Sequence, residues 1–327
     1  LFIFRKEKTG KYSYSSEIES RIIYSPNLKH LIINTLPELK KAKWIYFHYL
    51  PYGPSLFLWA LNPKIIAKST WIIWGGDLFI YKQKNENFKH RIFEFLRRLI
   101  IPHFTEIASF VEDDSIEALR VYKSNARYIP ILYPIPINLN NLKNLGRRNT
   151  KNEINILIGN SADPSNNHRE IIEMLSPFAK YGINIYCPLS YYVDEDYISL
   201  IIKRGKEIFS DRFIPLTMMM NAQEYAVFLN DMDIAIMNHN RQQGLGNILP
   251  LLYLGKKVYI RNDISTFPFL TNAGCVIFDT CSINKINFAS LTFIDNNSQE
   301  KNRKTIEKMI DPTYYSTLWN NLFSKHQ

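Results

Sequence analysis

Short apolar runs recur along this chain, and they restrict its fold more than any other feature. They are Trp44–His48, Thr70–Trp74, Glu106–Val111, Ile154–Ile158, Ile183–Cys187, Ile234–Met237, Lys257–Ile260 and Val276–Phe278. Each is too short for a helix with a buried face, and most lack the polar alternation of a strand with one wet side. They predict strands buried on both faces, as in parallel sheets covered by helices. Amphipathic stretches at 88–100, 114–122, 167–179, 194–206, 222–230 and 245–254 lie between them and read as helices. The expected class is α/β, built from βαβ units.

A chain of 327 residues is long for one domain. Pro130, Pro134 and Pro136 lead into a polar stretch, 139–152, that is poor in core residues. This predicts a linker between an N-terminal domain, 1–138, and a second domain, 153–300, with a cleft between them. The tail, 301–327, opens on charged residues. A helix start follows, with Asp311 ahead of Pro312, and its aromatic residues need a surface to pack on.

Forty Lys and Arg against thirty Asp and Glu leave a net charge of +10. That excess fits an anionic partner: nucleic acid, an acidic membrane surface or a phosphorylated substrate. No nucleic-acid-binding motif has recognisable spacing, so nucleic acid is not an expected partner. The three cysteines, Cys187, Cys275 and Cys281, suit neither a disulfide framework nor a zinc site, and a reducing, cytoplasmic setting is expected. No apolar stretch is long enough to span a bilayer. The stretch 88–101 is basic and amphipathic. It suits either an acidic bilayer surface or a core helix with a solvated basic edge.

Two loops in the second half carry ligand-binding chemistry. Asn238 to Asn247 follows the apolar run Ile234–Met237 and precedes a helix. Free N–H groups at a helix start, the helix dipole and closely approaching glycines favour an anion there. Arg241 adds a fork of donors suited to phosphate, supported by Asn240, Gln242, Gln243, Gly244, Gly246 and Asn247. The loop from Gly159 to His168 has the same design. Gly159 and Ser161 leave room, and Asn160, Asp163, Ser165, Asn166 and His168 supply polar groups. The plain alternative for both is turn and cap chemistry, but Arg241 and its glutamines are not turn formers.

In the first half, two predicted strands end on polar groups. Trp74, Gly75, Gly76 and Asp77 close one, and His48 closes another. In an α/β domain such strand ends aim residues at a ligand, so either Asp77 or His48 is a candidate base. The alternatives are a capping Asp77 and a structural His48. Two Asp-x-Asp triplets, Asp194 to Asp196 and Asp231 to Asp233, read as structural, and no obligate metal or other cofactor is expected.

Taken in order, these residues resemble the family 56 glycosyltransferases, which include the enterobacterial-common-antigen type. The similarity rests on Phe47-His48 with the proline-bearing loop after it, Trp74 to Leu78, and the glycine loop from Gly159 to His168. Cys187 to Tyr191, Arg241 to Gly246, and Asp311-Pro312 with Tyr314 complete it. The loop after His48 and the second glycine, Gly76, depart from the family pattern. The resemblance implies a GT-B fold, two Rossmann-like domains facing across a cleft. The C-terminal domain would bind the nucleotide sugar and the N-terminal domain would face the acceptor, with the tail helix packed back on the N-terminal domain. It implies a dTDP-linked 4-acetamido-4,6-dideoxyhexose as donor and a polyprenyl-diphosphate-linked saccharide as acceptor. The setting would be the cytoplasmic face of the bacterial inner membrane, against an anionic membrane surface. Pro188, Leu189, Ser190 and Tyr191 would lie near the base or ribose. Trp74, Gly75 and Gly76 would lie on the acceptor side.

Overall fold

The computed structural model describes residues 2–4, 17, 20–82, 87–133, 142–143, 145, 153–190 and 194–326. The chain forms two compact units, Leu1–Ile131 with Trp319–Gln327, and Leu132–Leu318. Most of 139–152, where the linker is expected, lies outside the described residues. Within it Leu142 is buried and Lys143 pairs with Glu307 at 3.0 Å.

In the first unit, β1 (Phe2–Phe4) and β2 (Ile22–Tyr24) form a parallel pair. A separate parallel sheet holds β3 (Ile45–His48), β4 (Ser69–Ile72), β5 (Glu106–Ser109) and β6 (Arg127–Pro130), in that order. The second unit has one six-stranded parallel sheet of β7 (Asn155–Ile158), β8 (Asn184–Pro188), β9 (Phe213–Leu216), β10 (Ile234–Met237), β11 (Lys257–Ile260) and β12 (Phe278–Asp279). Its order is β12-β11-β10-β7-β8-β9, the arrangement of a dinucleotide-binding fold.

Every residue of β4, β5, β7, β10 and β11 is buried, and the polar ones among them are bonded: Thr70 donates to Glu106, and Lys257 Nζ donates to the Ser290 and Phe293 carbonyls. The edge strands break that rule. In β6 only Ile129 is buried, and β9 carries Pro215, which an edge tolerates because one side of its backbone lacks a partner. The expected helix 167–179 is shorter, His168–Leu175. Pro177 then tightens the chain into 3₁₀ turns that end at Gly182. The helix Leu245–Tyr253 includes Pro250, which has no N–H to give the carbonyl of Gly246.

Candidate functional site

The second sheet grows outward from β7 in both directions, through β8 on one side and β10 on the other. Between β7 and β10 the order reverses, and the chain diverges there to leave a crevice at the carboxyl ends of the strands. The loop 159–168 leaves β7 and the loop 238–247 leaves β10, so topology brings the two candidate loops together. Gly159 marks the junction: its N–H donates to the Ile236 carbonyl at 3.0 Å.

Side-chain amides knit the loops into one body. Ser165 Oγ donates to Gln243 Oε1 at 2.8 Å, and Gln243 Nε2 donates to Asn160 Oδ1 at 3.0 Å. Asn240 N–H donates to the Ser165 carbonyl, and Asn167 Nδ2 reaches both the Asn238 carbonyl and Asn240 Oδ1. Arg241 Nη2 lies 3.4 Å from Asp163 Oδ2, with its side chain partly open to solvent. Gly244 caps the following helix at φ +72°, a left-handed conformation that favours glycine.

Some expected ligand contacts turn inward instead. Asn166 is fully buried and organises the first loop. Its Oδ1 accepts from Asn160 N–H and pairs with His239 Nε2, while Nδ2 donates to Ser161 Oγ and the Asp163 carbonyl. His168 is also buried, with Nδ1 3.0 Å from the Tyr197 hydroxyl. Pro188 and Leu189 pack into the core as β8 ends, and Ser161 is buried. These five lie buried beneath the two loops. Ser190 stays half-buried at the end of β8, and Tyr191 lies outside the described residues. The expected groups left wholly or partly at the surface are Asn160, Asp163, Ser165, Asn240, Arg241, Gln242, Gln243, Gly244, Gly246 and Asn247, while Gly159 is buried.

Two buried histidines sit beneath this surface without charge. Burial pushes His168 down to about 4. Burial, then His168 and Arg241 as neighbours, push His239 down to about 3. At neutral pH the positive charge these loops present therefore rests on Arg241. The same shifts make the unit acid-labile. Below the ordinary imidazole value of 6.5 the unfolded chain takes up a proton that folded His168 refuses until about 4. Stability should then fall by about 3 kcal/mol between those pH values from His168 alone. Urea midpoints measured across this range should drop, and His168→Gln should flatten the drop.

Sequence reasoning placed Asn238 in the second loop but missed its burial and its partners. Thr280 Oγ1 donates to buried Asn238 Oδ1 at 2.9 Å, and Asn238 Nδ2 donates to Glu170 Oε2 at 2.7 Å. An asparagine closing an otherwise apolar strand was the available signal; nothing marked Thr280. One acid of each Asp-x-Asp triplet serves the backbone. Asp194 accepts from Tyr197 N–H as a helix cap, and Asp233 accepts from Asn155 N–H.

In the first unit Asp77 and His48 part company. Asp77 is fully buried. Oδ2 accepts from Leu50 N–H and Trp71 Nε1, and Oδ1 accepts from Trp74 N–H, so the carboxylate ties the loop after β3 to the loop after β4. Buried Arg97 donates to the Asp77 carbonyl at 2.6 Å. Burial raises the Asp77 carboxyl, against the pull of its three donors and Arg97. It braces the Gly75-Gly76 turn and has no face open to a substrate hydroxyl, which corrects the expectation of Asp77 as a base. Trp74 is half exposed beside that turn, and Gly75 takes φ +77°.

His48 faces outward at the end of β3, and Tyr49 after it is held at φ +66°. Alternate residues of β3 and its lead-in meet successive turns of the last helix, Pro312–Ser324, and its exit. His48 lies parallel to Trp319, with centroids 5.8 Å apart. Tyr46 packs on Phe323 and donates to the Leu322 carbonyl, and Trp44 stacks on His326 at 3.6 Å. His326 also reaches buried Glu106 at 3.2 Å. The surrounding chain desolvates the His48 imidazole and lowers its pKa, so the neutral ring is favoured.

Residues 25–304 match glycosyl transferase group 56, described as 4-alpha-L-fucosyltransferase. The chain belongs to glycosyltransferase group 56. This group 56 enzyme also resembles solved structures at low identity. A glycosyltransferase from Rickettsia africae matches over 93% of this chain and 84% of its own, at 13% identity and a TM-score of 0.62. A UDP-forming trehalose-phosphate synthase from Burkholderia xenovorans, in complex with glucose-6-phosphate, matches over 91% and 75%, at 10% identity and 0.64. WaaG, a glycosyltransferase involved in lipopolysaccharide biosynthesis, matches over 91% and 82%, at 10% identity and 0.58. The group 56 chain thus has the α/β GT-B glycosyltransferase fold, and it is a glycosyltransferase.

Proposed function

We propose that this group 56 enzyme moves a 4-acetamido-4,6-dideoxyhexose from a dTDP-linked donor to a polyprenyl-diphosphate-linked saccharide in cell-surface polysaccharide synthesis. One observation carries the donor half of this reading: two glycine-bearing loops, bonded to each other at the strand-order reversal, present partly exposed Arg241 beside a helix start. The family description names a fucosyl group, itself a 6-deoxyhexose, which supports the class of sugar.

Arg241, Gln243 and the amides near Gly244 would stabilise the leaving diphosphate as its charge develops. Asn160, Ser165 and Asn240 would orient the donor, with Ser190 towards the base or ribose. Trp74, Gly75 and Gly76 would face the acceptor, and His48 would take the proton of its hydroxyl. In this reading the reaction needs no obligate metal, because Arg241 meets the charge and one acid of each Asp-x-Asp triplet serves the backbone. Nucleic acid is not a partner.

A thermal-shift series with dTDP, UDP and GDP tests the donor, since a ligand of the native state raises the melting temperature. The largest shift is expected with dTDP. Arg241→Ala should weaken dTDP binding by roughly 10- to 100-fold, the worth of a charge-assisted phosphate contact. A larger shift with UDP or GDP would replace the proposed donor. Unchanged dTDP affinity in Arg241→Ala would remove the phosphate role.

A further inference from the structure

The helix Phe88–Ile100 exposes apolar side chains and buries a charged one. Arg97 is fully buried, while Phe88 is 74% exposed, Phe95 60%, and Leu99 about half. Phe88, Phe95 and Leu99 fall at helical spacings that place them, with half-buried Ile92, along one stripe. The neighbouring helix Ser55–Ala60 packs against this one, through Phe57 and Phe93 rings 6.4 Å apart. Phe57 is half exposed, and Leu61, one turn on, is 80% exposed. The solvated edge of this pair of helices therefore carries an apolar stripe in addition to the basic rim of a core helix.

Charge borders the stripe with one sign. Lys89 and Arg91 are exposed beside it. Glu94, the acid of this helix, turns in towards Arg97 and Arg98 with its side chain only 14% exposed. We propose that this face of the first unit docks on an anionic lipid bilayer. Phe88, Phe95 and Leu99 would enter the interfacial layer, and Lys89 and Arg91 would meet lipid phosphates. A second copy of the chain is the poorer occupant. Face-to-face pairing would set Lys89 and Arg91 against their own copies, in a molecule whose net charge is already +10. The inference does not depend on the donor, because vesicle binding and nucleotide binding are read separately.

Sedimentation of the full chain with vesicles tests it. Binding to phosphatidylcholine containing phosphatidylglycerol should exceed binding to phosphatidylcholine alone by roughly tenfold or more. Phe95→Ser with Leu99→Ser should lower binding to the anionic vesicles by roughly tenfold or more at an unchanged melting temperature. Lys89→Gln with Arg91→Gln should shrink the preference for anionic lipid. The proposal is overturned if the wild type ignores anionic lipid, or if the serine pair binds as well as wild type. It is also overturned if the wild type forms a concentration-dependent dimer that the serine pair dissolves.

Discussion

Replacing His48 with glutamine is expected to lower kcat for sugar transfer by roughly 10²- to 10⁴-fold, the usual share of a general base. Glutamine keeps a polar group at the end of β3 but removes the basic nitrogen. The nucleotide loops belong to the other unit, so dTDP affinity should stay as in the wild type. The pH profile adds a sign. Desolvation lowers the His48 pKa, so the active, neutral ring persists as pH falls through the ordinary imidazole range. The acid limb of kcat/KM should therefore lie below 6.5 in the wild type. Trp319 is a positioning residue in this scheme, because its ring lies parallel to the imidazole and would limit how the imidazole turns. Trp319→Ala should lower kcat and move the acid limb up towards the ordinary imidazole value, with Trp319→Phe restoring part of both. An unchanged kcat in His48→Gln would mean that another group, such as the departing phosphate, takes the acceptor's proton.

How far the sequence announced this arrangement depends on where water ends. β7, β10 and β11 are buried on both faces and are apolar past Asn155 and Lys257 at the starts of β7 and β11, so they could be read. β6 and β9 are edges, where Arg127 and Pro215 are tolerated and the apolar signal fades. The glycines at 159 and 244 were legible because both lie at positive φ. The roles of Asn166, His168 and Asp77 were not. A polar residue at a strand end looks the same in sequence whether it meets a ligand or turns inward to hold a loop. What decides is the set of donors brought by distant segments: His239 and Asn160 for Asn166, Leu50 and Trp71 for Asp77. The helix Phe88–Ile100 shows the same limit: its pattern places Leu96 and Ile100 in the core but does not say that Phe88, Phe95 and Leu99 stay exposed.

Gly159→Ala is expected to destabilise the second unit by about 2–5 kcal/mol and to abolish tight nucleotide binding. Two independent costs add here. The backbone sits at φ +66°, where an L side chain is strained. The new Cβ would also lie 2.4 Å from His168 Nε2 and 2.8 Å from Asn166 Oδ1, both fully buried. Neither neighbour can yield cheaply. His168 is held near Tyr197, and Asn166 Oδ1 pairs with Asn160 N–H and His239 Nε2. Displacing Asn166 would unseat Asn160 and, through Gln243, the loop that carries Arg241. The effect on binding should therefore exceed the effect of trimming any one contact. Gly76→Ala is the matched control: its Cβ would meet only Tyr49 Cε2 at 3.9 Å, so it should fold as the wild type does. Chemical unfolding followed by dTDP titration reads both quantities. A Gly159→Ala protein that melts and binds like the wild type would mean that the two loops are not locked together in solution as they are in this fold.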